Sequence, residues 1–161
     1  MVKESWKTGL SFGFTSAIIT TLGLIVGLNS GTGLKLAVIG GILTIAIADA
    51  FSDALGIHIS QEALNRHTTR HIWESTVSTF VAKFFFALTF VVPVLLFPLR
   101  TAVIVSIVYG LTLLAILSFF MARQQKVRSA PVILEHVLIA IIVVALTNFV
   151  GVWIKATFGQ G

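Results

Sequence analysis

Cysteine is absent from the 161 residues, which excludes disulfides and thiolate metal sites alike. Charge is nearly as scarce. Asp, Glu, Lys and Arg make up 11% of the chain, against roughly a quarter in a soluble domain, and the mean hydropathy is +1.02. Catalytic signatures are scarce too: there is no H-E-x-x-H, no P-loop and no dinucleotide fingerprint. No enzyme and no organic cofactor are therefore expected. What the chain does contain is long uncharged apolar runs, with 57% of its residues hydrophobic. This is the composition of an integral membrane protein.

Five runs approach the ~20 residues needed to cross a hydrocarbon core. They fall at about 10–28, 34–59, 79–99, 101–122 and 131–157, in one transmembrane domain over 1–161 with a short cytoplasmic linker at 60–78. Asn29-Ser30-Gly31-Thr32-Gly33 has the composition of a turn, Pro98 precedes the fourth span, and Pro131 suits a first helical turn. The first run is too long for the apolar part of a cleavable leader and reads as a retained helix. A net charge of +5 would suggest nucleic acid in a soluble protein. Here the bases gather at span ends instead, and no nucleic-acid partner is expected. Lys3, Lys7, Arg66, Arg70, Arg123, Lys126 and Arg128 share one side, Lys35, Arg100 and Lys155 the other. The positive-inside bias makes the first side cytoplasmic, with the N-terminus in and the C-terminus out. Lys83, near the expected start of the third span, can snorkel to that interface.

Asp49 and Asp53 stand out inside the second span. Each carboxylate at bilayer depth costs about 2.5–3.5 kcal/mol on insertion scales. Their i, i+4 spacing puts them on one helix face, with Cβ atoms about 6 Å apart. Two charges that close in low dielectric call for a cation or a proton between them. The alternative is a hydrogen bond to a neighbouring helix or a pair with a lysine. No basic residue is expected at matching depth in another span, however, so the pair points to a metal site of oxygen ligands, suited to Mn²⁺, Fe²⁺, Mg²⁺ or Ca²⁺. Two acids on a single helix cannot readily flank a scissile bond, which argues against an intramembrane hydrolase. Ser52 and Ser60 continue a polar track along the same helix. Ser16 and Thr20 on the first span are further ion-path candidates, although such hydroxyls commonly bond to the i−4 carbonyl.

A second group of candidate metal ligands is His58, Glu62, His67, His71 and Glu74, where i, i+4 pairs of imidazole and carboxylate suit Fe²⁺, Mn²⁺ or Zn²⁺. A solvated connector explains the same residues equally well. Glu135, beside His136 at the start of the fifth span, is a candidate for ion access, or simply an acid favoured by the helix dipole. Gly23, Gly27 and Gly31 recur at every fourth position, with Gly9 and Gly13 earlier at the same spacing. Such a stripe allows close helix approach, either within one subunit or across a dimer; it is assigned here to dimer packing.

The segments S-A-I-I-T-T-L-G-L-I-V-G-L-N-S-G (Ser16–Gly31) and A-D-A-F-S-D-A-L-G-I-H-I-S-Q-E (Ala48–Glu62) resemble the vacuolar iron transporter family. In that family the first helix reads D-G-x-x-S/T before a G-x-x-x-G turn, and the second ends in S-M-x-x-G-E-Y-x-S. Five helices, Pro93 in the third and a basic link before the fifth extend the likeness. The resemblance implies a homodimer with its ion path at the subunit interface, moving Fe²⁺ or Mn²⁺ out of the cytosol in exchange for protons. Three departures stand out. The family's first-helix aspartate aligns with Ser16, its methionine aligns with Asp53, and its Glu-Tyr pair aligns with Ile57-His58. The long acidic insertion is replaced by the short stretch Glu62–Glu74.

The expected protein is thus an all-α, five-span homodimer in a prokaryotic cell membrane, carrying a divalent metal as substrate and coupled to protons. The alternatives are a Mg²⁺/Ca²⁺ carrier or passive channel of the same fold, or a non-transporting membrane protein.

Overall fold

A computed structural model describes residues 4–159; Lys3, counted above among the basic residues, lies outside them. The described chain is all helical: α1 Glu4–Thr32, α2 Lys35–Ala63, α3 Thr69–Thr89, α4 Val91–Leu96, α5 Leu99–Gln124 and α6 Ser129–Phe158. Five segments are long and apolar enough to cross a membrane, with α3 and α4 together forming the third, Thr69–Leu96.

The first, fourth and fifth spans run past both expected bounds, while the second and third are extended at one end, to Ala63 and back to Thr69. The linker expected at 60–78 shrinks to a turn at 64–68, because α3 begins at Thr69. Thr68 caps that start, its side chain accepting from the His71 N–H at 3.3 Å, which satisfies one of the orphan donors of the first turn. The buried residues of the added stretch are Ile72, Ser75 and Ser78. A hydropathy scan passes over small polar residues, yet these face α1. Asn29 to Thr32 are likewise helical rather than a turn, and only Gly33, at φ +66°, and Leu34 separate α1 from α2. Ser30 Oγ donates to Asn148 Oδ1 of α6 at 2.5 Å, which ties down that last turn.

The break between α3 and α4 follows from Pro93. Proline supplies no N–H, and its ring clashes with the carbonyl four residues back, that of Thr89; α3 ends at Thr89. The hydroxyl of Thr89 is bonded there to the Phe86 carbonyl and to Tyr109 of α5. Across the next turn, Lys35 Nζ donates to the carbonyls of Leu95 and Phe97, both at 3.2 Å.

Successive spans alternate in direction. α1 is the central helix, with half of its most apolar window buried against α3, α6, α2 and α5; α6 is peripheral, with 11%. The core joins Ile18, Leu22 and Ile25 of α1 to Val38 and Ile42 of α2, Phe90 and Val94, and Leu114 of α5. The α1 glycines occupy two faces. Gly9 and Gly13 lie against Ser75–Lys83 of α3. Gly23, Gly27 and Gly31 lie against α6: a Cβ at Gly23 would meet Val143 at 3.0 Å, and one at Gly31 the Gly151 carbonyl at 3.5 Å. The assignment of Gly23, Gly27 and Gly31 to dimer packing is therefore corrected. That stripe is already covered by the subunit's own fifth span.

Candidate ion site at mid-span

Asp49 is the middle residue of α2, and Lys83 lies fourteen residues into the Thr69–Leu96 span. At 1.5 Å per residue each is about 20 Å from its helix ends. Lys83 does not snorkel. It is 1% exposed, with Nζ 2.7 Å from Asp49 Oδ2 and in direct contact with Asp53 Oδ2. The same ammonium donates to Ser16 Oγ at 2.8 Å, and Ser16 Oγ donates in turn to Asp53 Oδ2 at 2.6 Å. Its three donors thus have three oxygen partners on two other helices. The expectation that no base matches the aspartates in depth is overturned. The error came from starting the third span at Thr79, which put Lys83 at its mouth. Trp73 carried the missing signal: if it marks the interface, Lys83 is ten residues, about 15 Å, deeper.

Close helix approach positions the lysine. A Cβ on Gly13 would fall 2.6 Å from the Thr79 carbonyl oxygen and 2.8 Å from the Ala82 Cβ. Only glycine lets α3 come this near, and Ser16 sits one turn further along α1. Thr20 Oγ1 bonds to the Ser16 carbonyl at 2.9 Å and faces no ligand group.

The cluster is not sealed. The Asp49 and Asp53 side chains remain 29% and 20% exposed, and they open on the outer surface of the subunit beside the exposed face of α2. Ser52 and Ser60 lie on that exposed face. The arrangement holds one tethered cation, the Lys83 ammonium, among oxygen acceptors.

The second group is dispersed. His58 Nδ1 is 3.0 Å from Thr76 Oγ1, and its ring packs edge-on against Trp73 at 4.8 Å. Glu62 is exposed. His67, in the turn, stacks on His71 with ring centres 4.3 Å apart. Glu74 accepts from Ser5 at 2.7 Å and pairs with Arg70 at 3.0 Å, tying the start of α1 to α3. Glu135 is exposed on α6. Among the described residues no group of three or more His, Asp or Glu is arranged to hold a metal ion. Compared with known proteins, the chain matches no family model and no curated protein sequence.

Proposed function

We propose that this chain is a membrane cation carrier whose site is Asp49 and Asp53 with Ser16, and whose Lys83 is a built-in competitor for the substrate. The observation that carries the proposal is the Lys83 ammonium held between two part-open carboxylates at mid-span. Two carboxylates and one ammonium leave a net formal charge of minus one. A divalent cation added beside the ammonium would leave excess positive charge in a low-dielectric site, where unbalanced charge is costly. A divalent cation that replaces the ammonium leaves the carboxylates balanced. Binding by exchange is therefore favoured, and turnover alternates a free cation with a tethered one. Protons are the counter-ion that the resemblance to vacuolar iron transporters implies. Oxygen-only donors admit Fe²⁺ and Mn²⁺ as well as Mg²⁺ and Ca²⁺. The resemblance to vacuolar iron transporters favours Fe²⁺ or Mn²⁺, exported from the cytosol across a prokaryotic cell membrane.

The same proposal includes a homodimer, with its contact moved to α2. Carboxylates at mid-span do not face lipid, so a second copy covers them. Gly40, Thr44, Ala48, Ser52, Gly56 and Ser60 form an exposed small-residue stripe beside the aspartates. Added Cβ atoms at Gly40 and Gly56 meet nothing within 4 Å, and such a stripe admits a closely packed helix.

The test is metal flux into proteoliposomes, compared across Fe²⁺, Mn²⁺, Mg²⁺ and Ca²⁺. Asp49→Asn/Asp53→Asn is expected to abolish flux. Lys83→Gln is expected to bind the ion more tightly and turn over more slowly. Wild-type flux and pH dependence in the double aspartate variant would sink the proposal.

The complete pairing of Lys83 supports a second reading, in which the cluster is an ionic clamp joining α1, α2 and α3 in a non-transporting protein. That reading requires wild-type protein to carry no metal while the same substitutions still destabilise the fold.

A further inference from the structure

On the opposite side of α1 from the aspartates, the helices part. α1 and α6 touch through Gly23–Gly31 and diverge toward the basic end, where the end of α5 closes the gap. The result is a cleft of about 770 Å³ bounded by α1, α5 and α6, within the size range of small-molecule sites.

Its walls are amphipathic. Phe12 and Met121 supply apolar surface, while Glu4, Lys7, Ser11 and Thr15 bring unpaired polar groups to the same space. The side chains of these four make no hydrogen bond or ion pair among the described residues. Thr15 is eleven residues, roughly 16 Å, along α1 from Glu4, a depth at which a bare hydroxyl needs a partner. His136 completes the lining. Its Nδ1 is 2.8 Å from Ser118 Oγ, whose only proton goes to the Leu114 carbonyl at 2.7 Å. Ser118 therefore accepts from Nδ1–H. The cleft offers an ammonium and hydroxyl donors for a phosphate, and a carboxylate acceptor for hydroxyls. Arg123, Lys126 and Arg128 add positive charge at that end.

We propose that this cleft binds the headgroup of an anionic, hydroxyl-bearing membrane phospholipid of the phosphatidylglycerol type, its phosphate at Lys7 and Ser11 and its glycerol hydroxyls at Glu4. Phe12 and Met121 contact the start of the acyl chains. A basic pocket between spans at a membrane interface is the setting in which such headgroups are recognised.

The test uses delipidated full-length protein, titrated with phosphatidylglycerol, phosphatidylcholine or glycerol 1-phosphate and followed by native mass spectrometry and thermal unfolding. Phosphatidylglycerol is expected to bind selectively and raise the unfolding temperature. Lys7→Gln is expected to weaken that binding about fivefold, the effect of one base near an anionic headgroup. Ser11→Leu, which fills the cleft, is expected to abolish it. Glu4→Gln is expected to reduce the preference for phosphatidylglycerol over phosphatidic acid, titrated alongside. Equal binding of phosphatidylcholine, or unchanged binding by both Lys7→Gln and Ser11→Leu, would overturn the proposal. Equal protection by glycerol 1-phosphate would assign the cleft to a soluble phosphate ester instead.

Discussion

Lys83 carries the largest electrostatic burden of any side chain here. Removing one partner of a buried charge pair costs about 3–5 kcal/mol, because the other is left uncompensated. Lys83→Met strands two carboxylates and is expected to fall in that range, measured by denaturant titration in detergent. The two aspartates are not equivalent. Asp53 accepts from both Lys83 and Ser16, whereas among the described residues Asp49 meets only the lysine. Asp53→Asn is therefore expected to destabilise more than Asp49→Asn. The triple variant Lys83→Met/Asp49→Asn/Asp53→Asn is expected to recover much of the loss, since it leaves no unpaired charge. Equal effects of the two single aspartate changes would show that the Ser16 bond contributes nothing. At this scale the acids were legible from sequence, because charge in an apolar run is conspicuous. Their partner was visible as a letter but misplaced in depth.

Among the helices, the glycines divide by what faces them. Gly13 sits where α3 crosses α1 with no room for a methyl group. Gly13→Val is expected to push α3 outward, costing about 1–3 kcal/mol for overpacking and separating Lys83 from Ser16. Gly23→Leu would drive into Val143 and Thr147 of α6, with a similar cost to the isolated subunit. Gly56→Leu enters open space. It is expected to leave subunit stability unchanged while weakening self-association, as read by sedimentation of the detergent-solubilised protein. If Gly56→Leu unfolds the subunit, or leaves a dimer intact, α2 is not the contact. A four-residue glycine repeat announces close packing without naming the neighbour. The α1 stripe was the more conspicuous in sequence, and it proved to be an internal contact. The α2 stripe is disguised by its mixture of Gly, Thr, Ala and Ser.

For the molecule as a whole, the unequal distribution of basic residues is the strongest statement about its setting. Lys7, Arg66, Arg70, Arg123, Lys126 and Arg128 stand at the ends and turns of one side of the alternating bundle. The positive-inside bias predicts that a cysteine placed at Gln125, on this cysteine-free background, is labelled only from the cytoplasmic side. Labelling from outside would invert the bundle, and with it the direction assigned to transport.

The sequence by itself determined that the chain is a membrane protein of five spans and that Asp49 and Asp53 are its anomaly. Both conclusions follow from hydropathy and helical spacing, which are local properties of a chain in lipid. Only the tertiary structure decided what lies beside those acids. Whether Lys83 reaches water or a carboxylate depends on where α3 begins and how near it comes to α1, and these are set by a cap at Thr68 and the missing side chain of Gly13. Likewise the cleft beside Lys7 exists because α1 and α6 touch at one end and diverge at the other. Such crossings arise from long-range packing between helices, which no window of neighbouring residues encodes.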